Sequence, residues 1–177
     1  MSHLQNSQLL VTLIVLAAAV TDLRSRRIPN WLTFSGCGAG VLLNWISAGP
    51  AGLRTSLCGL LLGFCLYSLL YCLRAMGAGD VKLMAAVGAI VGPPNWMFIF
   101  LASALSGGVL ALALMVWNGR VRETLRNTVL IVQELVRFEA PYRRHQHLDV
   151  QDPRALNMPH GVAIAMGTMA CLFYAVI

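Results

Sequence analysis

Five stretches of this chain, residues 7–20, 31–53, 55–73, 83–119 and 161–177, contain no charged side chain. A transmembrane helix needs roughly 20 consecutive apolar residues, so these stretches constrain the fold more than any local motif does. Only 11% of the 177 residues are charged and 58% are hydrophobic, with a mean hydropathy of +0.70, whereas a soluble domain carries about a quarter charged residues. The pattern predicts an all-α, polytopic membrane protein forming a single domain over 1–177. The fourth stretch is too long for one crossing and is interrupted by Gly92-Pro93-Pro94-Asn95, where a proline pair stops one helix and a turn begins another. Six transmembrane helices are therefore expected, divided at Arg54 between the second and third and at the proline pair between the fourth and fifth.

Basic residues set the expected orientation. Arg24, Arg26 and Arg27 follow the first helix, Arg74 and Lys82 bracket the junction of the third and fourth, and seven more lie between Arg120 and Arg154. These loops alternate along the chain, so the positive-inside rule puts them in the cytoplasm and both termini outside a cytoplasmic (inner) membrane, with Arg54 alone on the outer side. The first ten residues hold no Lys or Arg, so the first apolar run is expected to stay as a helix rather than serve as a cleaved signal. The net charge of +6 follows from this topology, and no nucleic-acid partner is required; the lipid bilayer is.

The long loop over 118–157 opens with VRETLRNTVLIVQELVRF. At 100° per residue Val121, Leu125, Val129, Val132 and Val136 share one side, and Arg122, Arg126, Gln133 and Arg137 share the other, with Leu130 out of pattern. This predicts a cytoplasmic amphipathic helix, lying on anionic head groups or docking a partner. His145 and His147 in the following segment lack a third ligand, and Cys37, Cys58, Cys65, Cys72 and Cys171 form no C-x-x-C pair. No metal and no cofactor are expected. The seven-residue repeat of Cys58, Cys65 and Cys72 suggests a small-residue packing stripe shared with Gly59 and Gly63.

Five of the seven acidic residues belong to the long loop, which leaves Asp22 and Asp80. Asp22 ends the first helix and Asp80 opens the short fourth one, so both are expected at the cytoplasmic face, in a wet cavity. Each has an ordinary explanation: Asp80 as a helix cap, Asp22 as a partner of nearby arginines. Together they suggest chemistry, because an ionisable residue in or near a span carries a cost that function offsets. Two neighbouring carboxylates cannot both ionise easily, so one can act as general base and the other as general acid on a single water. Gly77 and Gly79 would let a substrate strand approach the backbone beside Asp80, and let that backbone adopt unusual dihedrals.

Gly77-Ala78-Gly79-Asp80 with Val81-Lys82 resembles the GxGD signature of the type IV prepilin peptidases. The stretch from Asp22 to Ile28-Pro29-Asn30 resembles that family's first aspartate motif, and Met158-Pro159-His160-Gly161-Val162-Ala163-Ile164-Ala165 its last-helix Pro-x-Gly segment. The resemblance implies an intramembrane aspartyl endopeptidase that removes short basic leader peptides from prepilins or pilin-like proteins at the cytoplasmic membrane face. It implies Asp22 and Asp80 as catalytic residues, and Gly77, Gly79, Lys82, Pro159 and Gly161 as substrate-binding. His160 is open between a groove residue and an interface residue. The larger members' zinc-binding loop, with its paired cysteines, is absent from this sequence, which resembles the compact members serving tight-adherence pili, and N-methyltransferase activity is not expected. Three other readings compete: a proton-coupled transporter, a non-catalytic scaffold of pilus assembly, and a presenilin-like or signal-peptide-peptidase-like enzyme. No inverted repeat favours the first, and aspartate-to-asparagine substitutions would separate the second.

Overall fold

The computed structural model describes residues 2–73, 76–117, 119 and 160–173. All four elements among them are helices: α1 (Ser2–Ser25), α2 (Asn30–Cys72), α3 (Ala78–Trp117) and α4 (His160–Phe173). The first three are long and apolar enough to cross a membrane, and α4 is a shorter apolar helix. Apart from Gly119, the expected amphipathic helix and loop over 118–157 lie outside the described residues, as do Arg74 and Pro159.

Two of the helices are bent sharply. In α2 the backbone leaves helical geometry at Ala48 and Gly49, the latter with φ of 56°, giving halves α2a (30–47) and α2b (50–72). This break precedes the one expected at Arg54, because the dihedral freedom of Gly49 and the ring of Pro50 make the bend, not the charge. In α3 the break falls within the expected Gly-Pro-Pro segment, at Gly92, whose φ of 75° is open to glycine but strained for other residues. It separates α3a (78–91) from α3b (93–117).

The α3 bend leaves specific backbone groups to be satisfied. Pro93 and Pro94 lack the N–H groups that would bond the carbonyls of Ala89 and Ile90, four residues earlier. The Asn44 side-chain amide donates to both of those carbonyls at 3.0 Å, and the Ser56 hydroxyl donates to Ala89 at 2.6 Å. In an apolar surrounding an unpaired carbonyl is costly, so two side chains of α2 hold the turn of α3. On the far side of the turn Trp96, fully buried, folds back to donate its indole N–H to the Met84 carbonyl at 3.0 Å.

Segment α3a is the centre of the molecule: nearly every residue from Asp80 to Ile90 is buried. Segment α2a runs parallel to it, with Gly40 against Ala89 and Ile90, and α2b runs antiparallel, with Gly59 against Gly88 and Gly63 against Met84. The Gly59–Gly88 contact brings backbone onto backbone, where any Cβ would collide, the usual means of close helix packing in lipid. Cys58, Cys65 and Cys72 do not share this face: all three are exposed while Gly59 and Gly63 are buried. The seven-residue repeat defines a stripe, but it is the outward one.

Helix α1 shows the same division. Leu9, Leu13, Leu16, Val20 and Leu23 are exposed, whereas Val11, Ile14, Val15, Ala18 and Ala19 are in the core. An apolar outer surface over an apolar core is the arrangement suited to lipid as solvent. Helix α4 packs on α3b, where Gly167 lies against Ser103, and on α1 through Gly161.

Candidate active site

Asp22 continues the buried stripe of α1, since Val11, Val15, Ala18 and Asp22 recur at four, three and four residues, the repeat of one helix face. It lies within the last turn of α1, which extends to Ser25, and only 8% of its surface is exposed. A carboxylate near the C-terminus of its own helix faces an unfavourable dipole. The start of α4 offsets this: the Gly161 N–H donates to Asp22 Oδ2 at 2.8 Å, placing the carboxylate at the positive end of a second helix. The fit is close, because a Cβ on Gly161 would stand 3.0 Å from that oxygen.

Asp80 is the third residue of α3 and 7% exposed. Its Oδ2 accepts the Gly77 N–H at 3.2 Å, while its own N–H donates to the Gly77 carbonyl at 3.1 Å. The side-chain bond is one half of a capping box, the acidic residue at the third helical position reaching back to the N–H before the helix; Gly77 has no side chain to supply the other half. Asp80 thus helps to cap α3 from inside its first turn and not from the N-cap position, and it uses only one carboxylate oxygen to do so. Among the described residues, the Oδ1 atoms of Asp22 and Asp80 make no hydrogen bond.

Both aspartates open on one cavity of about 520 Å³, walled by Arg26, Arg27, Ile28 and Pro29 of the α1–α2 linker, by Asn30 at the start of α2, and by Gly77, Ala78, Gly79 and Lys82. Asp22 and His160 are close enough to act electrostatically on Asp80. Of the residues expected at the site, Asp22, Asp80, Gly77, Gly79 and Lys82 line this cavity, and Gly161 adjoins it through its bond to Asp22. Lys82 donates to Asn30 Oδ1 at 2.8 Å and lies 6.0 Å from the centre of the Phe34 ring, which ties α3 to the linker across the mouth.

The left-handed dihedrals that glycine would allow are not used here. Neither Gly77 nor Gly79 has a positive φ. Gly79 lies in the first turn of α3, where an added Cβ would meet Ile28 Cβ at 3.2 Å; its missing side chain makes room for the linker. Arg26, which has a φ of 52°, stands with Ile28 to Asn30 along one side of the cavity. They form one wall because the chain must turn between α1 and α2 beside the start of α3.

The sequence profile described as the type IV leader peptidase family matches residues 9–112, a span that holds both aspartates. The chain is similar to a type 4 prepilin-like proteins leader peptide-processing enzyme of Escherichia coli O78:H11, 32% identical over 104 residues covering 55% of this chain and 39% of that protein. It is also similar to prepilin leader peptidase/N-methyltransferases of Pectobacterium carotovorum subsp. carotovorum, 32% identical over 65% of this chain and 42% of the relative, and of Legionella pneumophila, 32% over 66% and 42%. The chain thus spans about two fifths of the length of these relatives. No solved structure matches. With the profile match covering more than half of its residues, the chain belongs to the type IV leader peptidase family.

Proposed function

We propose that this protein is an intramembrane aspartyl endopeptidase that removes the short basic leader peptide from type IV prepilins or pilin-like proteins. The observation that carries the reading is that Asp22 and Asp80, from different helices and nearly buried, face one cavity. A scaffold that used them only as caps would have no need to aim two carboxylates into the same space, where like charges oppose ionisation.

In this reading the two groups share a proton. The ionised carboxylate takes a proton from water as the oxygen attacks the scissile carbonyl, and the protonated one hydrogen-bonds the carbonyl oxygen and then protonates the leaving amine. Each Oδ2 is committed to a backbone N–H, so each Oδ1 is the atom proposed to face water and substrate. Gly77, Gly79, Lys82, Pro159 and Gly161 line or shape the groove for the peptide. Only hydrolysis is assigned to this chain, with no cofactor and no methyl transfer.

The proposed topology has six crossings of a bacterial inner membrane, with both termini outside. Straight helices of 43 and 40 residues would run about 60–65 Å, twice the hydrocarbon thickness of roughly 30 Å; each half of α2 and α3 would make one pass. The site then faces the cytoplasm, where the arginines and Lys82 of the cavity mouth satisfy the positive-inside rule and where a substrate's basic leader would lie. The long loop would rest on lipid or on a partner. Co-expression with candidate prepilins, reading the mass of the product, tests the proposal. Wild type should release the leader, whereas membrane-inserted Asp22→Asn and Asp80→Asn should each leave the substrate whole; processing by either variant defeats the dyad.

A further inference from the structure

The register between α2b and α3a carries a consequence for Asp80. Gly59 lies against Gly88 and Gly63 against Met84, and one further helical turn along each antiparallel segment brings Tyr67 opposite Asp80. Tyr67 is 2% exposed, and its phenol is within electrostatic reach of Asp80. The ring is fixed from the other side, edge-on to Trp96 at 6.3 Å and to Phe100 at 6.0 Å between centroids. The Tyr67 hydroxyl makes no hydrogen bond among the described residues, and it is not one of their fully buried unpaired atoms, so it keeps a small accessible surface and is free to take up a partner. Tyr67 is not among the residues that wall the cavity, and it comes to Asp80 from α2b.

We propose that Tyr67 is a positioning residue for Asp80, its phenol O–H donating to the Asp80 carboxylate during turnover and holding Oδ1 toward the cavity. The inference rests on the aspartyl peptidase reading. Other groups also bear on Asp80: Asp22 of α1, His160 of α4, Gly77 and Lys82 beside it on the α3 side, and Arg26 and Arg27 of the linker. Among the described residues Tyr67 alone approaches from α2b with an aromatic ring clamped in place, and removing its oxygen takes no charge from the site.

The test compares Tyr67→Phe with wild type as full-length chains purified in detergent, using a synthetic peptide with a basic leader followed by an apolar segment. Phenylalanine keeps the ring contacts with Trp96 and Phe100, so the melting temperature should stay the same. The kcat should fall about tenfold, as expected for loss of one hydrogen bond to a charged group, with KM little changed. A hydrogen bond donated to the ionised carboxylate favours that form, so its loss should move the acid limb of the rate profile to higher pH. Tyr67→Leu should lower the melting temperature as well, because it removes the ring. Wild-type kcat and pH profile in a folded Tyr67→Phe variant would overturn the proposal, as would a loss of activity only in proportion to lost folded protein. Asp80→Asn separates the two ideas: if it cleaves the peptide, or if wild type does not, the peptidase reading itself fails, whereas an inactive Asp80→Asn beside an unaffected Tyr67→Phe removes only the role of Tyr67.

Discussion

Asp22 Oδ2 accepts the backbone N–H of Gly161 at 2.8 Å, joining the end of α1 to the start of α4 across 139 positions of sequence. The bond needs a residue without a side chain, because a Cβ at position 161 would stand 3.0 Å from the oxygen and 3.1 Å from Asp22 Cβ. Gly161→Ala should therefore push the carboxylate aside by a few tenths of an ångström without unfolding the protein. Since a displacement of about 1 Å can cost roughly a hundredfold in rate, the alanine variant should lose about tenfold in kcat. Melting temperature and kcat measured together check this; wild-type turnover would show that Asp22 does not depend on α4 for its position.

Gly79 gives a second prediction, with a rescue built in. Its absent Cβ admits Ile28, at 3.2 Å from where that atom would be, so Gly79→Ala should displace the linker wall and lower cleavage, and Gly79→Val should do so more severely. Ile28→Ala removes the side chain in the way. In the double variant Gly79→Ala with Ile28→Ala, activity should recover to within a few-fold of Ile28→Ala alone, a coupling of about 1 kcal/mol between contacting residues. If no recovery follows, the space at Gly79 serves the substrate and not the linker.

These two contacts lie beyond what could be read from the sequence, although the aspartates themselves and one helix break do not. Asp22 and Asp80 were legible because a carboxylate in apolar sequence has few structural excuses, and the Gly92 break because two missing N–H groups end a helix wherever they occur. The break at Ala48-Gly49 was misplaced to Arg54 because a charge marks where water is, not where the backbone turns. Cys58, Cys65 and Cys72 share a face by periodicity, but periodicity does not say whether that face meets lipid or protein. The docking of Asp22 on Gly161 and the approach of Ile28 to Gly79 depend on how helices distant in sequence, and the linker between two of them, come together, and no local pattern encodes that. Tyr67 was missed for the same reason: its place opposite Asp80 follows from the register set by Gly59 and Gly63.

Asn44 should separate stability from catalysis. Its amide serves the carbonyls of Ala89 and Ile90 left by Pro93 and Pro94, at the turn of α3 and away from the residues that wall the cavity. Asn44→Leu leaves Ile90 without that partner, while Ser56 still serves Ala89. The loss should be about 1–2 kcal/mol, given roughly 0.6 to 2 kcal/mol for a hydrogen bond between helices in a membrane and the cost of an unpaired carbonyl. Thermal unfolding in detergent should register it, with cleavage per folded molecule close to wild type. An equal loss of specific activity would mean that the turn at Gly92 controls the geometry of Asp80.

Lys82 and Asn30 supply the last prediction, because their 2.8 Å hydrogen bond closes the wall between the start of α3 and the start of α2. Lys82→Met keeps most of the aliphatic stem against Phe34 and removes the donor; Asn30→Ala removes the acceptor. If the pair acts by holding the linker in place, each single variant should lower kcat several-fold and the double variant should be no worse than the more damaged single one, since residues acting as a unit are not additive. If Lys82 contacts substrate directly, its loss should raise KM and add to the effect of Asn30→Ala. Steady-state kinetics on the four proteins distinguishes these outcomes. The exposed setting of the bond limits its worth to stability, so melting temperatures should differ little, and a large drop in any of the three variants would argue that the contact serves folding instead of the geometry of the site.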